Sequence, residues 1–223
     1  KGFQQGPVTI RVNYSGQPPV AIRPPWSGGF TWTKDKSGNP WIAINCQKEG
    51  GRVYFPCKDH PSDEPNEGVD MLITVPDHLV VAGPGLLMET TQKGKSKTYH
   101  WKTRYTISNY CVLFNIGNYQ VYRDTYTTIL GNQVPVEFYV LACDTSHAAK
   151  VIATRMRDTR ILEKYFGEYP WVKEKMGIAE VPNYGMEHQT MITFINRFDY
   201  EKIGGQDYSA NLYHEFAHEW WAN

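Results

Sequence analysis

The stretch from Ser209 to Asn223 contains neither glycine nor proline and carries His214-Glu215-Phe216-Ala217-His218 in its middle. A run without breakers reads as a helix, with Ser209 or Asp207 available to cap its start. Residues four apart on a helix share one face, about 6 Å apart along the axis at a rise of about 1.5 Å per residue. Both imidazoles can then bind one zinc ion, while the glutamate after the first histidine reaches a water on that metal. Zinc lowers the pKa of water and the carboxylate takes its proton, which is the apparatus of metal-assisted hydrolysis. In a chain with 7 His among 223 residues, chance produces this pattern about one time in eighty. The competing reading is an amphipathic helix that happens to carry two histidines.

Catalytic zinc sites use three protein ligands and keep one position open. Glu219 follows His218 directly and points roughly 100° away around the helix, so it is not placed as the third. The expectation is that the third ligand lies beyond Asn223 and that the sequence is a piece of an enzyme. With two ligands, the piece alone is expected to bind zinc weakly, to be inactive, and to associate through an exposed surface including Phe216, Trp220 and Trp221. Lys1 is not an initiator Met and no secretory signal pattern follows it. No apolar run reaches the 18 or so residues that a membrane span needs. Gly6 to Tyr14 alternates apolar and polar residues and reads as a strand in need of partners.

The 23 basic and 23 acidic residues cancel, which argues against a nucleic-acid or anionic-membrane surface. Cys46, Cys57, Cys111 and Cys143 show no CxxC spacing; a Cys46–Cys57 disulfide and buried free thiols are both open. Before Ser146, short runs rich in Thr, Val, Ile and Tyr alternate with turn residues. Strands are predicted at Trp41–Cys46, Arg52–Phe55, Met71–Val75, Leu79–Ala82, Lys97–Lys102, Val112–Ile116 and Val136–Leu141. A helix is predicted from His147 to Phe166, stopped by Gly167, then strands at Gly177–Val181 and Thr190–Ile195 and the motif helix. The fold class is therefore α+β. An antiparallel β-rich domain spans 1–145, and 146–223 begins a second, α/β domain that carries the metal-motif helix.

Three segments together resemble the M1 zinc aminopeptidases, a gluzincin family. The ending from His214 to Asn223 is similar to the family's HExxHxW(F/W)xN signature. Tyr184-Gly185-Met186-Glu187-His188 looks like its GxMEN exopeptidase motif, and Gln47 with Pro56-Cys57-Lys58-Asp59 is similar to a stretch of its N-terminal β domain. The spelling looks most like bacterial members of Bacteroidetes type. The resemblance implies a thermolysin-like catalytic domain holding one Zn2+, with His214 and His218 as ligands, Glu215 as general base and a Glu near position 237 as third ligand. It implies that Glu187 holds the free α-amine of peptide substrates, that Gly185, Met186 and His188 contact substrate, and that Gln47 reaches the site from the β domain. Tyr184 stands where a small residue is usual and His188 where Asn is usual. A bacterial periplasmic or secreted location is the corresponding expectation.

Other readings remain. Trp26, Trp32 and Trp41 lie in a Gly/Pro-rich region, as in a peptide- or carbohydrate-binding β module or a degenerate peptidase scaffold. Intact His214, Glu215 and His218 speak for catalysis, since recognition does not require them. An M1-like hydrolase of a non-peptide substrate is a third possibility. Trp220 and Trp221 read as packing residues, and Lys58 to Glu64 as a solvated turn.

Overall fold

The computed structural model of the chain describes residues 6–58, 60 and 62–221. Asp59 of the Pro-Cys-Lys-Asp stretch, and Ala222 and Asn223 of the C-terminal signature, lie outside the described residues. In chain order the first strands are β1 (Gly29–Lys34), β2 (Pro40–Asn45), β3 (Asp70–Pro76) and β4 (Val80–Ala82). Next come β5 (Leu86–Lys93), β6 (Ser96–Lys102), β7 (Asn115–Gly117), β8 (Tyr119–Thr127) and β9 (Gln133–Leu141). Helix α1 (Ala148–Phe166) leads to β10 (Met176–Val181) and β11 (Met191–Ile195). A small hairpin, β12 (Glu201–Ile203) and β13 (Gln206–Tyr208), precedes α2 (Ala210–Trp221).

The strands form sheets in the orders β1-β2-β7-β4, β3-β6-β5 and β11-β10-β9-β8. The first two are antiparallel throughout. In the third, β8 and β9 make an antiparallel hairpin, whereas β9, β10 and β11 run parallel. Parallel pairing requires a crossover, and α1 supplies it between β9 and β10. Gly167, at φ +91°, ends α1 as its sequence suggested, its N–H bonding the Glu163 carbonyl.

The inner part of this third sheet is covered on both faces, which is why β10, β11 and the end of β9 are buried without alternation, whereas β8 is largely exposed. One face carries Val134, Val136, Phe138, Met176, Ile178, Ile192 and Phe194 against Val151 and Ile152 of α1 and Leu212 and Phe216 of α2. The other carries Tyr139, Leu141, Ala179 and Met191 against a core of Trp41, Ile44, Val81 and Trp101. Trp41 Nε1 donates to Tyr119 Oη at 3.0 Å and to the Glu180 carbonyl at 3.3 Å, fastening β2 to this sheet. The chain is α+β, as the strand and helix pattern implied.

The boundary expected at 145 falls within one continuous sheet. Strands β8 and β9, before it, pair with β10 and β11 after it. The change of character near Ser146 marks the start of the crossover helix, because a parallel strand follows only after such a connection. Arg52–Phe55 is not a strand either: Gly51–Val53 is a 3₁₀ turn, entered through Gly50 at φ +73°. The Val112–Ile116 expectation shrinks to β7, preceded by a 3₁₀ turn at Asn109–Cys111. Gly6–Tyr14 pairs with no described strand, and Val8 and Ile10 are 76% and 80% exposed. Alternation gives a strand one greasy face but cannot supply the ladder partner that holds it. Cys46 and Cys111 are buried, Cys57 is half-buried and Cys143 is exposed.

One buried carboxylate gives the fold a pH signature. Glu180 of β10 is shut off from solvent, and its Oε2 accepts the Leu141 N–H at 2.8 Å. Burial, reinforced by nearby Asp144 and opposed by that N–H, pushes Glu180 well above the usual carboxylate range. The fold thus keeps a proton that the unfolded chain releases, so this group's contribution falls as pH rises from the carboxylate range through neutrality. Glu180→Gln should be about 1–2 kcal/mol more stable than wild type at pH 8 and nearly equal to it at pH 5. Denaturant melts of both proteins at the two pH values check this, and parallel profiles would contradict it.

Candidate metal centre

Helix α2 opens where the Ser209 carbonyl accepts the Tyr213 N–H at 3.1 Å. Asp207 does not cap it; it lies in β13, paired with Lys150 and Lys202. The 3.6-residue period puts Leu212 and Phe216 into the core with Glu215 and Glu219 beside them. His214 is left exposed and His218 half-buried on the open side. Their ring centroids are 5.1 Å apart. One ligand atom from each of His214, Glu215 and His218 lies within 4.8 Å of the other two, the one such group among the described residues.

Asn211, one turn earlier, positions Glu215. Its Nδ2 donates to Glu215 Oε1 at 2.9 Å, while its Oδ1 accepts the Ile195 N–H at 3.3 Å. The helix is thereby tied to the end of β11. Glu215 is 5% exposed, and burial first, then the charge of Glu187, pushes its carboxyl up to about 8, against the pull of the Asn211 amide. Two carboxylates repelling across a partly dry site beside two imidazoles form a donor set that a divalent cation would relieve. The residues present fit zinc on these grounds.

Glu187 comes from the loop joining β10 to β11, which doubles back so that Met186 bridges antiparallel to Thr193. The Thr193 N–H donates to the Met186 carbonyl at 2.9 Å, and the Met191 N–H to the His188 carbonyl at 3.0 Å. Tyr110, at the Asn109–Cys111 turn, donates its hydroxyl to Glu187 Oε1 at 2.7 Å. Sequence patterns did not mark Tyr110 or Asn211, since neither belongs to a motif with a fixed spacing. His188, expected to contact substrate, is instead fully buried, with its ring 5.5 Å from that of Tyr110. Burial pushes its imidazole down to about 4, leaving it neutral near pH 7. It supports Tyr110 from below. Gln47 sits in the turn after β2, half-buried, with its Oε1 shut off from solvent.

The three tryptophans weighed as a recognition platform do not gather. Trp41 is in the core, Trp32 stacks on Phe30 at 5.3 Å, and Trp26 lies 5.4 Å from Tyr184. Trp220 packs as expected, its Nε1 bonding the Gly167 carbonyl at 3.0 Å. Lys58 and Asp63 form a solvated pair at 3.6 Å. A cavity of about 750 Å³ lies away from the histidines, between residues 14–19 and 52–57. A smaller one of about 430 Å³ opens beside α2 and is lined by Asn211, Tyr213, His214, Tyr184, Arg197 and Asp199.

Gly185 leaves no room for a side chain. A Cβ there would stand 2.5 Å from Asn211 Nδ2 and 2.6 Å from the Thr193 carbonyl. Gly185→Ala should therefore destabilise the protein by about 1–3 kcal/mol, and Gly16→Ala, which meets nothing within 4 Å, should leave it unchanged. Thermal melts of the two variants are the check; equal stability would contradict the close packing of loop on helix.

No protein-family model matches the chain. Two curated relatives are the tricorn protease-interacting factors F2 of Thermoplasma acidophilum and Thermoplasma volcanium, 22% and 23% identical over 203 residues. Each match takes in 87% of this chain but 24% of the relative. Among solved structures, an M1 zinc metallopeptidase mutant from Deinococcus radiodurans superposes with a TM-score of 0.66 at 23% identity, over 91% of this chain and 43% of that one. Another crystal of the Deinococcus radiodurans mutant holds a Tyr-Ser-Ala substrate, with a TM-score of 0.64 at 23% identity over 93% of this chain and 44% of that one. Legionella pneumophila aminopeptidase A in complex with aspartic acid gives 0.61 at 18% identity, over 73% of this chain and 19% of that one. The chain spans about a quarter of the curated relatives it matches and has the fold of the corresponding part of M1 zinc metallopeptidases.

Proposed function

We propose that this chain carries the metal-binding part of an M1-type zinc aminopeptidase, which removes residues from peptides with a free N-terminus. The observation that carries the reading is His214, Glu215 and His218 within 4.8 Å on one helix, facing Glu187 closely enough to raise the Glu215 pKa. The peptidase character of the structural neighbours, one of them bound to a Tyr-Ser-Ala substrate, supports it.

His214 and His218 would hold the zinc. When bound, zinc supplies a Lewis acid that polarises the peptide carbonyl and acidifies water. Glu215, kept in place by Asn211, takes the proton from the attacking water and passes it to the leaving amine. Glu187, with its carboxylate oriented by the Tyr110 hydroxyl, pairs with the substrate's α-ammonium and sets which peptide bond comes next to the metal. The backbone of Gly185 and Met186 lies alongside the substrate chain. Neutral, buried His188 keeps Tyr110 aligned without adding charge.

In a longer parent protein that supplies the expected third ligand, Glu215→Gln should retain zinc and lower turnover by about 10²–10⁴-fold, the usual worth of a general base. Glu187→Ala should also retain zinc, but should lose about 10- to 100-fold in kcat/KM on free-amine peptides, corresponding to about 1.5–3 kcal/mol for a charge-assisted contact. Metal analysis, together with cleavage of one peptide in free and N-acetylated form, reads both. Equal cleavage of the two forms by wild type would overturn the exopeptidase reading, and undiminished activity of Glu215→Gln would overturn the mechanism.

A further inference from the structure

Four side chains line up beside the metal helix. Arg23 lies 5.3 Å over the Trp26 ring, Trp26 is 5.4 Å from Tyr184, and Arg197 is 5.6 Å over Tyr184. Cation–π contact holds each guanidinium without neutralising it, so both charges remain available. Among the described residues no ion pair is made by Arg197. Tyr184 and Arg197 belong to the 430 Å³ cavity that also exposes His214, and Glu187 is not among its lining residues. Asp199 is the one carboxylate that lines it.

Direction follows from the loop. One edge of residues 184–187 is bonded to β11 through Met186 and Thr193. A peptide whose amine is held at Glu187 and whose first carbonyl reaches the histidines would have the cavity shared by His214, Tyr184 and Arg197 open to its leaving side. We infer that Arg197, braced on Tyr184, receives a carboxylate carried on the leaving side of the peptide, an inference that rests on the aminopeptidase reading. Trp26 and Tyr184 give the intervening backbone an apolar wall, and Arg23 reinforces the positive end. Asp199 limits the preference without cancelling two guanidinium groups. The carboxylate can come from an acidic side chain or from the peptide's own C-terminus, and both present the same planar acceptor to Arg197.

The zinc-loaded longer parent protein, with the third ligand present, is assayed on Ala-Ala-Glu and Ala-Ala-Gln, both with amidated C-termini, on Ala-Ala-Ala with free and amidated C-termini, and on an alanyl anilide. Wild type should favour a carboxylate-bearing peptide over its amide counterpart by about three- to tenfold in kcat/KM, the range of a partly screened ion pair. In Arg197→Gln that ratio should fall to about one, in Arg197→Lys it should be partly kept, and in Asp199→Asn it should rise. The Glu/Gln pair reports a side-chain carboxylate, the free/amidated pair a C-terminal one. Cleavage of the anilide and of all peptides without discrimination, or discrimination that survives Arg197→Gln, would overturn the inference alone. Failure to cleave the anilide or any peptide would overturn the aminopeptidase reading and this inference with it.

Discussion

Glu219 lies beside Arg155 with Oε1 3.5 Å from Nη2, both side chains wholly cut off from solvent. Burying such a pair costs several kcal/mol per ion unless the surroundings complete its contacts. Here Glu219 is satisfied, the Tyr169 hydroxyl donating to Oε1 at 3.3 Å and the Thr190 N–H to Oε2 at 3.4 Å, whereas the guanidinium makes no hydrogen bond among the described residues and packs 3.8 Å over the Phe216 ring. Loss of one partner would leave a bare charge, at a cost of about 3–5 kcal/mol. The pair fixes α2 to α1 from within and, through Thr190, fixes it to the loop that presents Glu187. Thr190 itself sits at φ +58°, an uncommon conformation for a β-branched residue. Glu219 holds its N–H, Gly85 N–H donates to its hydroxyl, and Gly177 N–H donates to its carbonyl. The separation between the histidines and Glu187 is thus set by buried polar contacts, and the motif alone does not determine it.

The same tightness concentrates charge. The charge of Glu187 acts on Glu215, and among the described residues the Asn211 amide is the donor that relieves it. A cation on the histidines would restore the ionised form that a base needs, and a substrate ammonium would neutralise Glu187. Metal and substrate would in this way each remove part of an electrostatic cost built into the protein.

Much of this was legible in the sequence. A breaker-free run with histidines four apart specified α2, and the apolar runs of β9, β10 and β11 read as strands. The 100° rotation between His218 and Glu219 already placed the latter away from the metal; what it touches depends on Arg155 and Thr190, distant in sequence. Parallel pairing across residue 145 was not legible, because a doubly buried strand looks the same in any sheet. Arg52–Phe55 has strand-forming side chains, but Gly50 turns the backbone before they can extend. His188 resembled a site residue by position, yet its ring faces inward to Tyr110. Tyr110, Asn211 and Arg197 carry no local signal, since their placement is made by tertiary contacts.

The most direct test of this account is a crystal structure of the zinc-loaded longer parent protein with a non-hydrolysable peptide analogue bearing a free amine. Zinc is expected about 2.0–2.1 Å from a ring nitrogen of both His214 and His218, with the ammonium about 2.7–2.9 Å from the Glu187 carboxylate. Zinc bound away from these histidines, or an amine seated elsewhere than Glu187, would contradict it.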